Sequence, residues 1–293
     1  MIEVRKAETV RKIPGTKKTV QGEGIWWDER RRVFHYVDIL SCAVCTVDPA
    51  TGHFSEITLP DTVGCIVPEA DGAIAVPLRD GLYRCFPESG RVEKRFSWSI
   101  PSAVRFNDGK CDRNGRLWIG TMYLDQSSPQ AHGGGALYRF TPQTGLVRVL
   151  EHMTIPNGIA FNADDTVMYH IDTAEQCVTA YDYDLAAGRL SAPRVAVRIP
   201  KEDGAPDGMT IDSDGNLFIA LWGGHRVVCC DPASGERRES YSFPDARVSC
   251  CAFGGEDHRT LAVTTAADEN GAGGYIYSVL TEHTGAAPYT IQT

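Results

Sequence analysis

The chain has no run of apolar residues long enough to span a bilayer, and its opening, Met1-Ile2-Glu3-Val4-Arg5-Lys6, lacks the apolar stretch of an export signal. Neither a membrane span nor secretion is expected, and a cytoplasmic location follows. Positive charge is also scarce. Lys and Arg number 29 against 38 Asp and Glu, a formal net charge of -9. Nucleic-acid binding draws on clustered basic side chains, so that partner is not expected and a small molecule is. The chain contains no Gly-x-Ser-x-Gly elbow and no P-loop, which removes support for serine-hydrolase and nucleotide-dependent chemistry. His35, His132, His170 and His225 show no metal or triad spacing and take no role. Nothing in the residues sets the oligomeric state.

Long segments of helical period are missing too. In their place stand short alternating strands separated by Asp-Gly, Asn-Gly and Pro-x-x-Gly turns, so the chain reads as all-β. Ten Cys spread over 293 residues without an export signal read as reduced, packed thiols. Cys42-x2-Cys45 is the only metal-like or redox-like spacing. The adjacent pairs Cys229-Cys230 and Cys250-Cys251 suit strands that send one side chain to each face.

A repeat of 40–50 residues built from strands signals a propeller. Phe106-Asn107-Asp108-Gly109-Lys110-Cys111-Asp112-Arg113-Asn114-Gly115-Arg116-Leu117-Trp118 aligns with Pro206-Asp207-Gly208-Met209-Thr210-Ile211-Asp212-Ser213-Asp214-Gly215-Asn216-Leu217-Phe218. Further copies start at Pro156-Asn157-Gly158 and Gln21-Gly22-Glu23-Gly24, with weaker ones near Gly64-Cys65 and Ser249-Cys250. Taking Glu23, Cys65, Asn107, Asn157, Asp207 and Ser249 as equivalent gives spacings of 42, 42, 50, 50 and 42 residues. Outer turns recur as well, at Asp48-Pro49-Ala50-Thr51-Gly52, Thr141-Pro142-Gln143-Thr144-Gly145 and Asp231-Pro232-Ala233-Ser234-Gly235. The expectation is one domain over residues 1–293, a six-bladed β-propeller in which residues 1–20 supply a strand to the last blade and close the ring.

The innermost strands of a propeller line its channel, so equivalent residues of each repeat converge at one mouth. Glu23 and Asp207, buried there, need a counter-charge. With the carbonyl of an Asn and water they make an oxygen-rich shell suited to one divalent cation, Ca²⁺ first, with Mg²⁺, Mn²⁺ and Zn²⁺ as alternatives. The bland reading of the same residues is that Asp and Asn beside Gly cap turns at blade entrances. Arg105, two positions before Asn107, points to the same side of its strand and can orient a polar substrate, or else form an ion pair between blades.

The residues that carry these expectations closely resemble the SMP-30/gluconolactonase family over nearly the whole chain. Its motifs are similar to Gly22-Glu23-Gly24-Ile25-Trp26-Trp27, Tyr36-Val37-Asp38-Ile39, Arg105-Phe106-Asn107-Asp108-Gly109-Lys110, Gly120-Thr121-Met122, Pro156-Asn157-Gly158 and Pro206-Asp207-Gly208-Met209. The resemblance implies a six-bladed propeller that hydrolyses a sugar lactone, with metal ligands at Glu23, Asn157 and Asp207 and substrate contacts from Arg105 and Asn107. It also implies a substrate contact at Asp125, where regucalcin-like members carry Glu. On this expectation the cation polarises the lactone carbonyl and Asp207 is the general base.

Two rivals stand beside it. One is an organophosphate or aryl-ester hydrolase of the same architecture, for which Arg105 and Asn107 are too polar a channel mouth. The other is a non-catalytic propeller that binds metal or docks proteins, which has no need of Glu23, Asn157 and Asp207 at matching positions. Segment 123–135, with Gly133-Gly134-Gly135, reads equally as an ordered wall or a mobile lid.

Overall fold

The computed structural model describes residues 3–5 and 10–293. Among the described residues the regular structure is strands with two single-turn 3-10 segments, Thr173–Glu175 and Lys201–Asp203. Among the described residues no helix is long and apolar enough to cross a membrane.

The strands are short because the turns are written into the sequence. In the first outer hairpin the Asp48 carboxylate accepts hydrogen bonds from Ala50 N at 2.8 Å and Thr51 Oγ1 at 2.7 Å, while Gly52 takes φ 75°. Asp231 repeats the device with Ala233 N at 2.9 Å. The Asp-x-x-Gly element of the sequence repeat is the inner hairpin. Asp112 and Asp212 accept from the backbone N–H of Arg116 and Asn216, at 3.1 and 2.7 Å.

Four antiparallel sheets of four strands follow one another along the chain. The first comprises Gly22–Asp28, Val33–Asp38, Ala43–Val47 and Phe54–Thr58, and the second runs from Val67–Pro68 to Arg91–Ser97. The third runs from Val104–Cys111 to Gly145–Met153, and the fourth from Pro156–Phe161 to Arg189–Arg198. The remaining nine strands form one continuous sheet rather than separate units. Its two parts, Ala205–Ser242 and Arg247–Leu280, are joined through a single residue pair, Trp222 with Arg247. The Arg247 guanidinium also lies over the Trp222 ring at 5.3 Å, which holds the strand ends together there.

Burial falls off from the inside outward. Every residue of Gly22–Asp28 is buried, whereas the outer strand Arg91–Ser97 is mostly exposed or half-buried. The core lies between sheets, in six apolar clusters. The first and second sheets pack through Val37, Ile39, Ile74 and Val76, and the third and fourth through Trp118, Leu137, Met168 and Tyr183. The two parts of the long sheet pack against each other through Phe218, Tyr241, Phe253 and Leu261. The last part packs on the first sheet through Ala262, Ile276, Phe34 and Tyr36, so the stack returns to its start. Each such fully buried side chain contributes roughly 1.5–3 kcal/mol. Sheets stacked radially, with buried inner and exposed outer strands, make an all-β propeller.

Arg11–Lys12 pairs antiparallel with Tyr277–Leu280, and Glu3–Arg5 lies parallel along Arg237–Ser242. Residues 1–2 and 6–9 of the expected closing segment lie outside the described residues. All ten cysteines are free and only Cys42 is not buried. Cys229 and Cys230 enter two different clusters, as do Cys250 and Cys251, one thiol to each face of its strand. Burial pushes the Cys230 thiol up to about 11 and those of Cys45 and Cys251 to about 12, which keeps them protonated and inert.

Candidate active site

The six equivalent residues are all buried, each near the start of an innermost segment. Five of the inner strands change register there, between Glu23 and Trp26, Phe106 and Gly109, Pro156 and Ile159, Pro206 and Met209, and Val248 and Cys250. A bulge re-aims the side chains at its position and bends the strand, and here it recurs at each of these mouths.

Neighbouring inner strands touch at the same level. A Cβ at Gly64 would lie 2.6 Å from Asn107 Cα, one at Gly158 2.8 Å from the Asp207 carbonyl, and one at Gly208 2.7 Å from Cys250 Cα. Gly158 and Gly208 are therefore needed for the approach of one backbone to the next. Ser249 Oγ donates to the Gly22 carbonyl at 2.5 Å, linking the last inner strand to the first.

A directed chain of hydrogen bonds crosses three of these strands. Arg105 Nη1 donates to Asn107 Oδ1 at 2.7 Å and to the Phe106 carbonyl at 2.9 Å. Asn107 Nδ2 then donates to Asn157 Oδ1 at 2.9 Å and to the Pro156 carbonyl at 3.0 Å. Asn157 Nδ2 donates to Thr173 Oγ1, and Thr173 Oγ1 to the Pro206 carbonyl, both at 2.8 Å. Arg105, Asn107, Asn157 and the residue before Asp207 are thus joined, while Glu23 and Asp207 meet the same set through charge.

Burial raises the Glu23 carboxyl well above its ordinary value, and the Asp207 and Asp108 charges raise it further against the pull of Arg105. Asp207 is raised by burial and then by Asp108, again opposed by Arg105. Burial lowers the Arg105 guanidinium to about 10, with Glu23 and Asp207 acting the other way. Glu23 Oε2 is buried without a hydrogen-bond partner. A buried orphan carboxylate oxygen, a second raised carboxyl and an amide oxygen with one lone pair still free are hard oxygen donors, and they fit a divalent cation. Among the described residues no group of three or more His, Cys, Asp or Glu gathers as metal ligands, so such an ion would depend on Asn157 and water.

Asp125 is not joined to this set. It is exposed, in the loop after Leu117–Tyr123, and its Oδ1 accepts from Ser127 N at 2.9 Å and Ser127 Oγ at 2.6 Å. The loop is a succession of turns tied back by Gly133 N donating to Thr154 Oγ1 at 3.1 Å. Asp108 and Thr173 are the residues that sequence reasoning missed. Asp108 stood inside a quoted motif, but only the structure shows its charge acting on both Glu23 and Asp207. Thr173 opens the 3-10 segment just after the second strand of its repeat, where the alignment of inner strands does not look.

A cavity of about 180 Å³, lined by Ile25, Trp26, Phe161, Phe253 and Tyr289, occupies the far stretch of the same inner strands. Its lining begins two or more residues beyond the ring positions and is largely apolar. The charged groups of its lining are already partnered, Lys110 with the Met209 carbonyl and Asp212 with His283, whereas the unpartnered carboxylate oxygen is at the ring.

Buried carboxylates and amides at equivalent positions of the inner strands of an all-β propeller define the class of this fold and site. The chain belongs to the SMP-30/gluconolactonase/LRE-like family, whose model matches residues 21–267. It is 36% identical over 253 residues to a provisionally named sugar lactone lactonase, YvrE, of Bacillus subtilis (strain 168), covering 86% of this chain and 85% of that protein. It is 33% identical over 256 residues to regucalcin of Danio rerio, covering 85% and 84%. The solved structure of a calcium-binding protein, regucalcin from Agrobacterium tumefaciens, superposes with a TM-score of 0.91 at 23% identity, covering all of both chains. At that identity the match speaks for the fold.

Proposed function

We propose that this protein hydrolyses a sugar lactone, an aldono-lactone, to the open aldonic acid. The observation that carries the reading is Glu23 Oε2, buried and unpartnered within the field of Asp207, Asp108 and Arg105. A relative named as a sugar lactone lactonase supports the substrate class.

Glu23, Asn157 and Asp207 would hold one divalent cation, Ca²⁺ first, since their donor atoms are all hard oxygens. When bound, such an ion neutralises the two carboxylates and supplies Lewis acidity toward a carbonyl oxygen. The chain's own residues do the rest. Asp207 takes a proton from the water whose oxygen attacks the lactone carbonyl carbon. The ring C–O bond then breaks, and the proton passes to the departing alkoxide, so one lactone and one water become one hydroxy acid. Arg105 uses Nη1 inside the protein, which leaves Nε and Nη2 to meet the substrate's hydroxyl oxygens. Asn107 fixes the Arg105 fork and so the orientation of the sugar ring. Asp125 is assigned to the rim, where a sugar hydroxyl would displace Ser127 as its partner.

The same reading takes the chain as one domain of six blades. Six apolar interfaces that return to their start, and a long sheet joined at one residue pair, support counting that sheet as two blades. Arg11–Lys12 then closes the sixth. Free, buried thiols support a reducing compartment, the cytoplasm.

The test is proton release from a panel of aldono-lactones by chelated protein, with and without Ca²⁺, Mg²⁺, Mn²⁺ or Zn²⁺. Cation-dependent turnover of one lactone is expected. Absence of turnover with every ion and every lactone would refute the reading and favour a non-catalytic cation-binding propeller.

A further inference from the structure

Thr173 sits at a corner that the fold builds several times over. The pairs Gly22 with Asp38, Phe106 with Thr121, Pro156 with Asp172, Pro206 with Leu221 and Val248 with Thr265 are equivalent rungs just before the ring positions. One residue further along the chain, within the second strand or just past its end, stand Ile39, Met122, Thr173, Trp222 and Ala266. Thr173 alone of the five carries a hydroxyl.

The corner does not need that hydroxyl. In the first repeat Asp38 accepts from Val20 N and Gln21 N, both at 2.9 Å, and Ile39 N donates to the Gln21 carbonyl at 2.9 Å. In the fourth repeat Asp172 accepts from Thr154 N and Ile155 N, both at 2.8 Å, and Thr173 N donates to the Ile155 carbonyl at 3.0 Å. These three backbone bonds recur at both corners, one closed by isoleucine and the other by threonine.

What the hydroxyl adds is polarity. A guanidinium can only donate and a backbone carbonyl only accept, so Arg105 at one end and Pro206 at the other fix the direction of every bond between them. Within that chain Thr173 Oγ1 must accept from Asn157 Nδ2, and this fixes Asn157 with Oδ1 turned toward Asn107. Without the hydroxyl, Nδ2 loses its acceptor and only the bond from Asn107 Nδ2 to Oδ1 still holds the amide about its last torsion. The same oxygen also ties Asn157 to the carbonyl just before Asp207.

We infer that Thr173 is a positioning residue: its hydroxyl sets the amide of Asn157 with the oxygen toward the ring and couples that amide to the Asp207 strand. The inference rests on the proposed cation site for its functional meaning, though not for the hydrogen bond itself. Groups that orient a metal ligand from behind typically change affinity by about 10–100-fold when removed.

Two measurements separate the inference from the site reading. In chelated protein, the Asn157 side-chain NH₂, assigned by its absence in Asn157→Asp, is followed by ¹⁵N NMR. It should exchange slowly in the wild type and in Thr173→Ser, and fast in Thr173→Val. Calorimetric titration with Ca²⁺ should show Thr173→Val weaker by about tenfold or more and Thr173→Ser within about threefold of the wild type, with unchanged melting of the chelated proteins. Equal exchange in wild type and Thr173→Val, or loss in Thr173→Ser equal to that in Thr173→Val, would overturn the inference. If the wild type binds none of Ca²⁺, Mg²⁺, Mn²⁺ or Zn²⁺, the site reading fails, and the exchange measurement still decides the role of Thr173.

Discussion

Replacing Glu23 by Gln should stabilise the protein in the absence of cations and destabilise it in their presence. The substitution keeps the volume and one acceptor oxygen, and it exchanges the orphan Oε2 for an uncharged amide nitrogen. In chelated protein at neutral pH the wild type must either bury a charge beside Asp207 and Asp108 or hold a proton against its ordinary value of 4.5. A neutral amide in the same place does not carry the penalty of a buried charge, a difference worth roughly 1–3 kcal/mol. At about 2–4 °C per kcal/mol for a chain somewhat smaller than this one, the melting point should rise by a few degrees. The sign follows from the raised pKa. A group raised on folding lends stability that is complete below its unfolded pKa and is lost as pH climbs through the folded value. Wild-type protein should therefore lose ground between pH 4 and pH 8, and Glu23→Gln should lose less. The two should melt alike near pH 4. Saturating Ca²⁺ reverses the order, since a ligand at a hundred times its Kd adds about 2.7 kcal/mol to the form that binds it. The assay is thermal unfolding followed by circular dichroism at pH 4, 6 and 8 with chelator or Ca²⁺. A Glu23→Gln protein that melts lower than wild type in chelator at pH 8 would refute the argument that this carboxylate lacks a partner.

Asp207→Asn should leave the circular dichroism spectrum unchanged and lower kcat by roughly 10²–10⁴, the usual worth of a general base, as read by proton release; near-normal turnover would remove Asp207 from that role. Arg105→Lys should raise KM for the lactone and weaken the hold on Asn107, because an ammonium lacks the planar fork that serves Asn107 and the substrate together. Steady-state kinetics showing an unchanged KM would argue against contact between Arg105 and the sugar. Gly158→Ala places a methyl 2.6 Å from Met209 Cβ and 2.8 Å from the Asp207 carbonyl. Such overpacking should cost about 1–3 kcal/mol in urea unfolding, and a neutral result would mean the inner strands give way easily.

The fold was legible because its turns are chemical. Asp48, Asp112, Asp212 and Asp231 each bond the backbone a few residues on, so the repeat is visible as a spacing of Asp and Gly. The ring residues were legible for the same reason, being fixed in register by those turns. Pairing across the junction at Trp222 and Arg247 was not, since a single contact between strand ends leaves no pattern in the chain. Asp108 escaped because its importance lies in charge acting through the channel on Glu23 and Asp207, a matter of distance alone. Thr173 escaped because its equivalents are Ile39, Met122, Trp222 and Ala266, so the repeat itself gave no signal that one side chain in five does something different. Asp125 shows the converse. A resemblance points to the position, but the shorter side chain finds Ser127 within its own loop.

The bond from Ser249 Oγ to the Gly22 carbonyl joins residues 227 positions apart. Contacts of such sequence separation form late and slowly, because a long loop must be closed before they return any stability. Glu23 belongs to the first inner strand of the chain and Ser249 to the last, so the mouth of the channel is assembled only once these two strands have met. A nascent chain still emerging from the ribosome, however many of its sheets have already folded, therefore has no complete channel mouth until synthesis is nearly finished.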